Sequence, residues 1–172
     1  VAEQEGPSAA DVVTGQDYER YARYRIAELG GDANAFGLSY NVLHLAYMMI
    51  TDYEALVHRE LGWTMPGFRL MFKLWILGPT QPARLANLSG TTRSAMSNLI
   101  NTLERAGLVE RRKDDQDRRV VFVALTDQGR KSVARAFPSQ NAREARWFEA
   151  LDDDESARMV QLIRRVVASR PG

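Results

Sequence analysis

Residues 81–131 read QPARLANLSGTTRSAMSNLINTLERAGLVERRKDDQDRRVVFVALTDQGRK, and this stretch decides the fold. Gln81 to Leu88 has helical patterning and ends in Ser89-Gly90-Thr91, a break where glycine permits left-handed backbone. Thr92 to Ala106 forms a second helix, with Gly107 as its C-terminal cap. Met96, Leu99, Ile100 and Leu103 recur on one face of it, which predicts burial. Thr91, Thr92, Arg93 and Ser94 open it, and Ser97, Asn98 and Asn101 continue a polar face that carries no acid before Glu104. Leu108–Arg111 and Val120–Val123 then read as two short strands. They flank the polar turn Lys113-Asp114-Asp115-Gln116-Asp117, which gives a hairpin with a charged tip.

Helix, glycine turn, helix and hairpin in this order make a winged helix-turn-helix. The chemistry suits DNA. A helix fits the major groove and presents its N-terminal polar side chains to base edges; Arg pairs with guanine and Asn with adenine in bidentate fashion. Ser and Thr serve phosphates or bases. A basic hairpin tip, here Arg118 and Arg119, favours a narrow and electronegative minor groove. Arg111, Arg112 and Lys113 stand where phosphates would pass. The competing reading of the helix is an ordinary solvated face. For the tip it is a charge run paired with Asp114, Asp115 and Asp117.

Outward from this stretch the chain reads as helices. Residues 1–13 form a loose arm. Asp17–Leu29 is a helix with Tyr18, Tyr21 and Tyr24 at helical spacing, stopped by Gly30-Gly31. Phe36–Leu61 is a longer helix whose wide apolar stripe, with Leu38, Val42, Leu45 and Met49, asks for a partner. Thr64 caps the next helix, with Pro66 in its first turn, and Phe68 to Ile76 supply the core. Thr126 opens a helix to about Phe148 that is expected to be disturbed at Pro138. Asp152 and Glu155 have capping-box spacing at the start of a last helix, Asp153 to about Ser169. The expected fold is mainly α. A winged helix-turn-helix DNA-binding domain spans residues 62–125, and a helical dimerisation region is built from residues 1–61 and 126–172.

Leu85-Ala86, Gly90, Thr92-Arg93-Ser94, Leu99, Leu103-Glu104 and Gly107-Leu108-Val109-Glu110-Arg111 together resemble the MarR family of bacterial regulators. Asp117-Arg118-Arg119 and Leu125-Thr126 with Gly129 complete the pattern. The resemblance is strongest over residues 81–131. It implies a two-fold dimer with interlocked terminal helices and two winged lobes on double-stranded operator DNA. It places Thr92, Arg93, Ser94, Ser97, Asn98 and Asn101 in the recognition helix. It places Arg118 and Arg119 in the wing, one of them entering the minor groove and held by Asp117. Asn98 departs from the arginine that many relatives carry, which bears on base preference. The resemblance also implies repression and a pocket for a small aromatic acid or phenol between the dimerisation helices and the winged lobe. Tyr40, His44 and Tyr47 on one helix, and Trp63, Phe68 and Arg69 near the next, are candidates to line it, Arg69 being suited to a carboxylate. Each of them is equally suited to a packing role.

Composition narrows the classes further. A net charge of +1 means that a DNA-binding face must be a local patch. The chain has no cysteine, which removes disulfides, thiolate metal sites and thiol redox sensing. His44 and His58 lack metal-ligand spacing, and no HExxH, phosphate loop or nucleophile elbow occurs. No enzyme, metal or cofactor is therefore expected. No apolar run approaches the roughly 20 residues of a membrane span. The first residues lack the basic-then-apolar pattern of a signal peptide, so a cytoplasmic protein is expected. A winged helix serving protein contact, without DNA or ligand readout, is the alternative function.

Overall fold

Capping residues set where most of the helices begin. In the computed structural model, which describes residues 8–114 and 116–169, Thr14 and Asp17 form a reciprocal capping box. The Asp17 amide donates to Thr14 Oγ1 at 3.2 Å and the Thr14 amide to Asp17 Oδ2 at 3.0 Å. Helix α1 therefore spans Gly15–Glu28, two residues ahead of the expected start. Of the expected loose arm, residues 1–7 lie outside the described residues, and Ala9–Asp11 make one 3₁₀ turn capped by Ser8. Asp32 Oδ1 accepts the amides of Asn34 and Ala35 and opens α2, Ala33–Tyr53.

The chain divides between Thr51 and Asp52 into two compact units. In the first, α1 lies close against α2 at the buried Gly37, where a Cβ would stand 2.8 Å from Glu19 Oε1 and 3.1 Å from Arg23 Cδ. Tyr40 stacks with Phe36 and His44, at centroid distances of 5.9 and 5.6 Å, and meets Tyr18 at a tilt of 44° and 5.5 Å. Leu38, Val42, Leu43, Tyr47, Met48 and Ile50 stay exposed.

The second unit holds the main core. The helix expected to run to Leu61 instead gives way after Tyr53 to a π-helical turn, Glu54–His58, and a 3₁₀ turn, Arg59–Leu61. Gly62, at φ 67°, ends it. The widened turn accompanies the inward placement of Val57 and His58, which the sequence pattern did not separate from a regular helix. Thr64 caps α3, Met65–Leu77, with Pro66 in the first turn. Helices α4 (Pro82–Ser89) and α5 (Arg93–Arg105) follow, joined through Gly90 at φ 61°. Strands β1 (Val109–Lys113) and β2 (Val121–Leu125) pair antiparallel, with Val109 opposite Leu125 and Arg111 opposite Val123. Thr80 adds a one-residue third strand: its amide donates to the Val123 carbonyl, and the Val123 amide donates back, each at 2.9 Å. Leu70, Met71, Leu85, Met96, Ile100, Val109, Val123 and Val133 are essentially sealed from solvent.

Helix α6, Asp127–Trp147, passes unbroken through Pro138. Its start explains the Leu-Thr-x-x-Gly spacing. Leu125 enters the core, Thr126 Oγ1 accepts the Gly129 amide at 3.0 Å and donates to the Gly107 carbonyl at 2.7 Å, and a Cβ on Gly129 would lie 2.0 Å from the Leu108 carbonyl oxygen. Further along α6, Arg143 grips Asp52 through two 2.6 Å hydrogen bonds, and Trp147 Nε1 donates to the same carboxylate at 2.9 Å. The Asp152–Glu155 capping box forms as expected and opens α7, Asp153–Ala168. None of the residues of α7 is buried, and Val160, Leu162, Ile163, Val166 and Val167 are exposed on it. Among the described residues no helix is long and apolar enough to cross a membrane.

Candidate nucleic-acid interface

Helix α5 shows the two faces its sequence predicts. Met96, Ile100 and Leu103 are buried, while Thr91, Thr92, Arg93, Ser94, Ser97 and Asn98 are exposed. Thr92 is the N-cap: its Oγ1 accepts the Ala95 amide at 3.2 Å and lies 3.1 Å from Ser94 Oγ. Thr92 and Ser94 are thus committed to shaping the helix start. Among the described residues, the side chains of Arg93, Ser97 and Asn98 have no hydrogen-bond partner within the chain and are free for an external one.

The wing presents a second set of free cations. Asp114 Oδ1 accepts the amides of Gln116 and Asp117, both at 2.9 Å, and Asp117 Oδ1 accepts the Arg119 amide at 2.9 Å. These carboxylates are spent on backbone N–H groups that fold the tip. Asp117 therefore holds Arg119 through its backbone amide. Asp115 lies outside the described residues. Arg118 and Arg119 are exposed and make no ion pair among the described residues. Arg93 and Ser97 from α5, Arg119 and Val121 from the wing, and Gln81 and Pro82 at the start of α4 line one cleft of about 430 Å³. Gln81 and Pro82 were not singled out in the sequence. The available signal was a proline in the first turn of a short helix, which leaves early N–H groups facing outward.

Two expected DNA contacts are engaged elsewhere. Asn101 is half-buried, and its Oδ1 accepts a hydrogen bond from Arg111 Nη2 at 2.7 Å; Arg111 also pairs with Glu104. Arg112, on the other face of β1, is paired with Glu110. The residues proposed for a ligand fall in both units. In the first, Tyr40 is half-buried within its aromatic stack, and His44 and Tyr47 are exposed. In the second, Phe68 is buried between Trp63, Phe72 and His58, with His58 at 4.8 Å, and Arg69 is exposed. Burial, and then the charge of Arg69, push the Lys73 ammonium below its ordinary value. Among the described residues no group of three His, Asp or Glu is placed to hold a metal ion.

A family model described as the MarR family matches residues 63–121, from the residue pair before the Thr64-capped helix to the first residue of β2. An uncharacterised HTH-type transcriptional regulator of Bacillus subtilis, YwaE, is 32% identical over 113 residues, covering 66% of this chain and 65% of that one. Over its winged segment the chain is similar to the MarR family. The chain spans just under two thirds of that relative's length. Solved structures share the fold. The S. aureus MepR–DNA complex aligns with a TM-score of 0.71 at 22% identity, covering 77% of this chain and 97% of that one. PcaV of Streptomyces coelicolor, in complex with its natural ligand, aligns with a TM-score of 0.67 at 24% identity, covering 77% of this chain and 91% of that one.

Proposed function

We propose that this chain is a MarR-type transcription regulator that binds a pseudo-palindromic operator in double-stranded DNA as a homodimer, acts as a repressor, and is released by a small aromatic acid or phenol. One observation carries the DNA reading. Arg93 and Arg119, from the recognition helix and the wing and unpaired among the described residues, line one cleft beside Ser97. A net charge of +1 offers no general attraction for a polyanion, so this local convergence supplies it. Arg93, Ser97 and Asn98 read bases in the major groove, and Arg118 or Arg119 enters the minor groove. The MepR–DNA complex supports this assignment by its shared fold. The liganded PcaV structure supports an effector in the same way, and Arg69 with Trp63 are the side chains assigned to it. The exposed apolar faces of α2 and α7 supply the dimer contacts.

The test is binding to a fluorescent duplex from upstream of the protein's own gene, titrated across salt with and without a panel of aromatic acids. Tight binding that weakens steeply with salt and is abolished by one acid is the expected result. Salt-sensitive binding that no acid disturbs removes the effector and leaves the regulator. Absence of binding to this duplex and to any duplex selected from a random pool overturns the DNA reading in favour of a protein-contact module.

A further inference from the structure

Arg111 is the residue whose placement the DNA reading does not use. It lies on β1 opposite Val123, and its guanidinium reaches back to α5. One nitrogen pairs with the Glu104 carboxylate, and Nη2 donates to Asn101 Oδ1 at 2.7 Å. Asn101 and Glu104 stand three residues apart, hence on the same face of the last turns of α5. A planar fork with several fixed donors makes both bonds at once, which a lysine ammonium cannot reproduce in the same geometry. The tie therefore joins the recognition helix directly to the root of the wing, outside the apolar core that packs beneath them.

We propose that Asn101, Glu104 and Arg111 form a clamp that sets the angle between recognition helix and wing, and so makes the protein sensitive to the spacing between the bases read in the major groove and the flank read in the minor groove. The proposal rests on the DNA-binding reading. Its three members are positioning residues and touch no base. The lever arm gives the reason. A strand advances about 3.3 Å per residue, so the hairpin tip at Asp114 stands roughly 10 Å beyond Arg111. A swing of about 20° at the root then moves the tip by roughly 3.4 Å, one base-pair rise along a strand. Holding the root stiff to within such an angle is what distinguishes one spacing from the next.

The experiment starts from the duplex that the wild-type dimer selects out of a random pool. A second duplex carries one extra base pair between the half-site core and its flank. The wild type is expected to bind the second about tenfold more weakly, the order of one mismatched base pair. Arg111→Ala and Arg111→Lys are expected to lose less than threefold between the two duplexes, and Asn101→Ala to fall between them and the wild type. The salt dependence of Arg111→Ala on the parent duplex stays that of the wild type. The charge swap Glu104→Arg with Arg111→Glu restores the tenfold discrimination. Full discrimination in Arg111→Ala, a salt slope lower by about one as the loss of a phosphate contact produces, or a swap that rescues nothing overturns the clamp. A wild type that selects no duplex at all overturns the DNA reading, and the clamp with it. Thermal melting of each variant shows that it is folded, as expected for substitutions at side chains that are about one-third exposed, 35% for Arg111 and 37% for Glu104.

Discussion

Arg119 combines an anchored backbone with a free side chain. Asp117 fixes its amide, and no acid among the described residues neutralises its guanidinium. Arg119→Ala is expected to weaken DNA binding by about tenfold or more, and Arg118→Ala to weaken it too, without a change in melting temperature. If equilibrium binding shows both variants at wild-type affinity, the wing assignment is wrong. His58 sets a different dependence at the same scale. Its Nε2 lies 3.0 Å from Gln140 Oε1, and the Gln140 amide nitrogen donates to Glu144 at 2.9 Å, so the amide oxygen faces the ring and Nε2 carries the proton. Nδ1 is buried without a partner among the described residues, and protonating it would place a charge beside Phe68. Burial is the main cause that holds the imidazole below its ordinary value of 6.5, against opposing contributions from Gln140 and Glu54. The unfolded chain then binds the proton more readily. The stability contributed by neutral His58 is complete above pH 6.5 and falls as the pH drops from there through the folded-state value. Thermal melts from pH 8 to 5 should show this decline in the wild type and lose it in His58→Gln. The Asp52–Arg143 pair acts lower on the scale. Arg143 is the main cause holding the Asp52 carboxyl below 3.8, so its contribution is lost only as the pH falls beneath that.

At the scale of elements, the winged segment was legible because each signal had one physical cause. Gly90 and Gly107 are left-handed, at φ 61° and 71°, and the apolar positions of α5 are those that seal the core. The Leu-Thr-x-x-Gly run owes its last residue to the 2.0 Å approach of a would-be Cβ to the Leu108 carbonyl. Gly129→Ala must push backbone apart, and is expected to destabilise the second unit by about 1–3 kcal/mol in denaturant unfolding. Other elements were less legible. The π-helical turn at Glu54–His58 has no local sequence signature; periodicity continues through it, and tertiary packing of His58 against Phe68 and Gln140 distinguishes it. Nor did spacing along α5 separate Asn98 from Asn101. Both sit on the polar face, and only the pairing register of β1 brings Arg111 onto the second of them. The Pro138 ring was expected to disturb α6, yet the helix accommodates it without interruption.

At the scale of the whole molecule, apolar side chains are left facing water on two helices. On α7 these are Val160, Leu162, Ile163, Val166 and Val167, and on α2 they include Leu38, Val42 and Tyr47. Scattered exposed apolar residues need no explanation, but runs at helical spacing on two elements mark surfaces that bury themselves on assembly. The pairing of Ile163→Asp with Val166→Asp is expected to turn a dimer into a monomer in light scattering and to abolish operator binding, which needs two recognition helices at once. A dimer that survives this pair would remove α7 from the interface. The break between Thr51 and Asp52 was not legible in the sequence, because Asp52 owes its place to Arg143 and Trp147, some ninety residues downstream.

The Thr80–Val123 bridge bears on how any effector could release DNA. Two reciprocal hydrogen bonds stitch the connection between α3 and α4 to the returning strand of the wing. Together with the tie from Arg111 to α5, the bridge holds helix-turn-helix and hairpin as one reading head. On the proposed reading as a ligand-released dimer, a switching molecule acts on the distance or twist between the two heads and leaves the shape of each head alone. Such a switch acts as calipers do, through the gap between two stiff jaws.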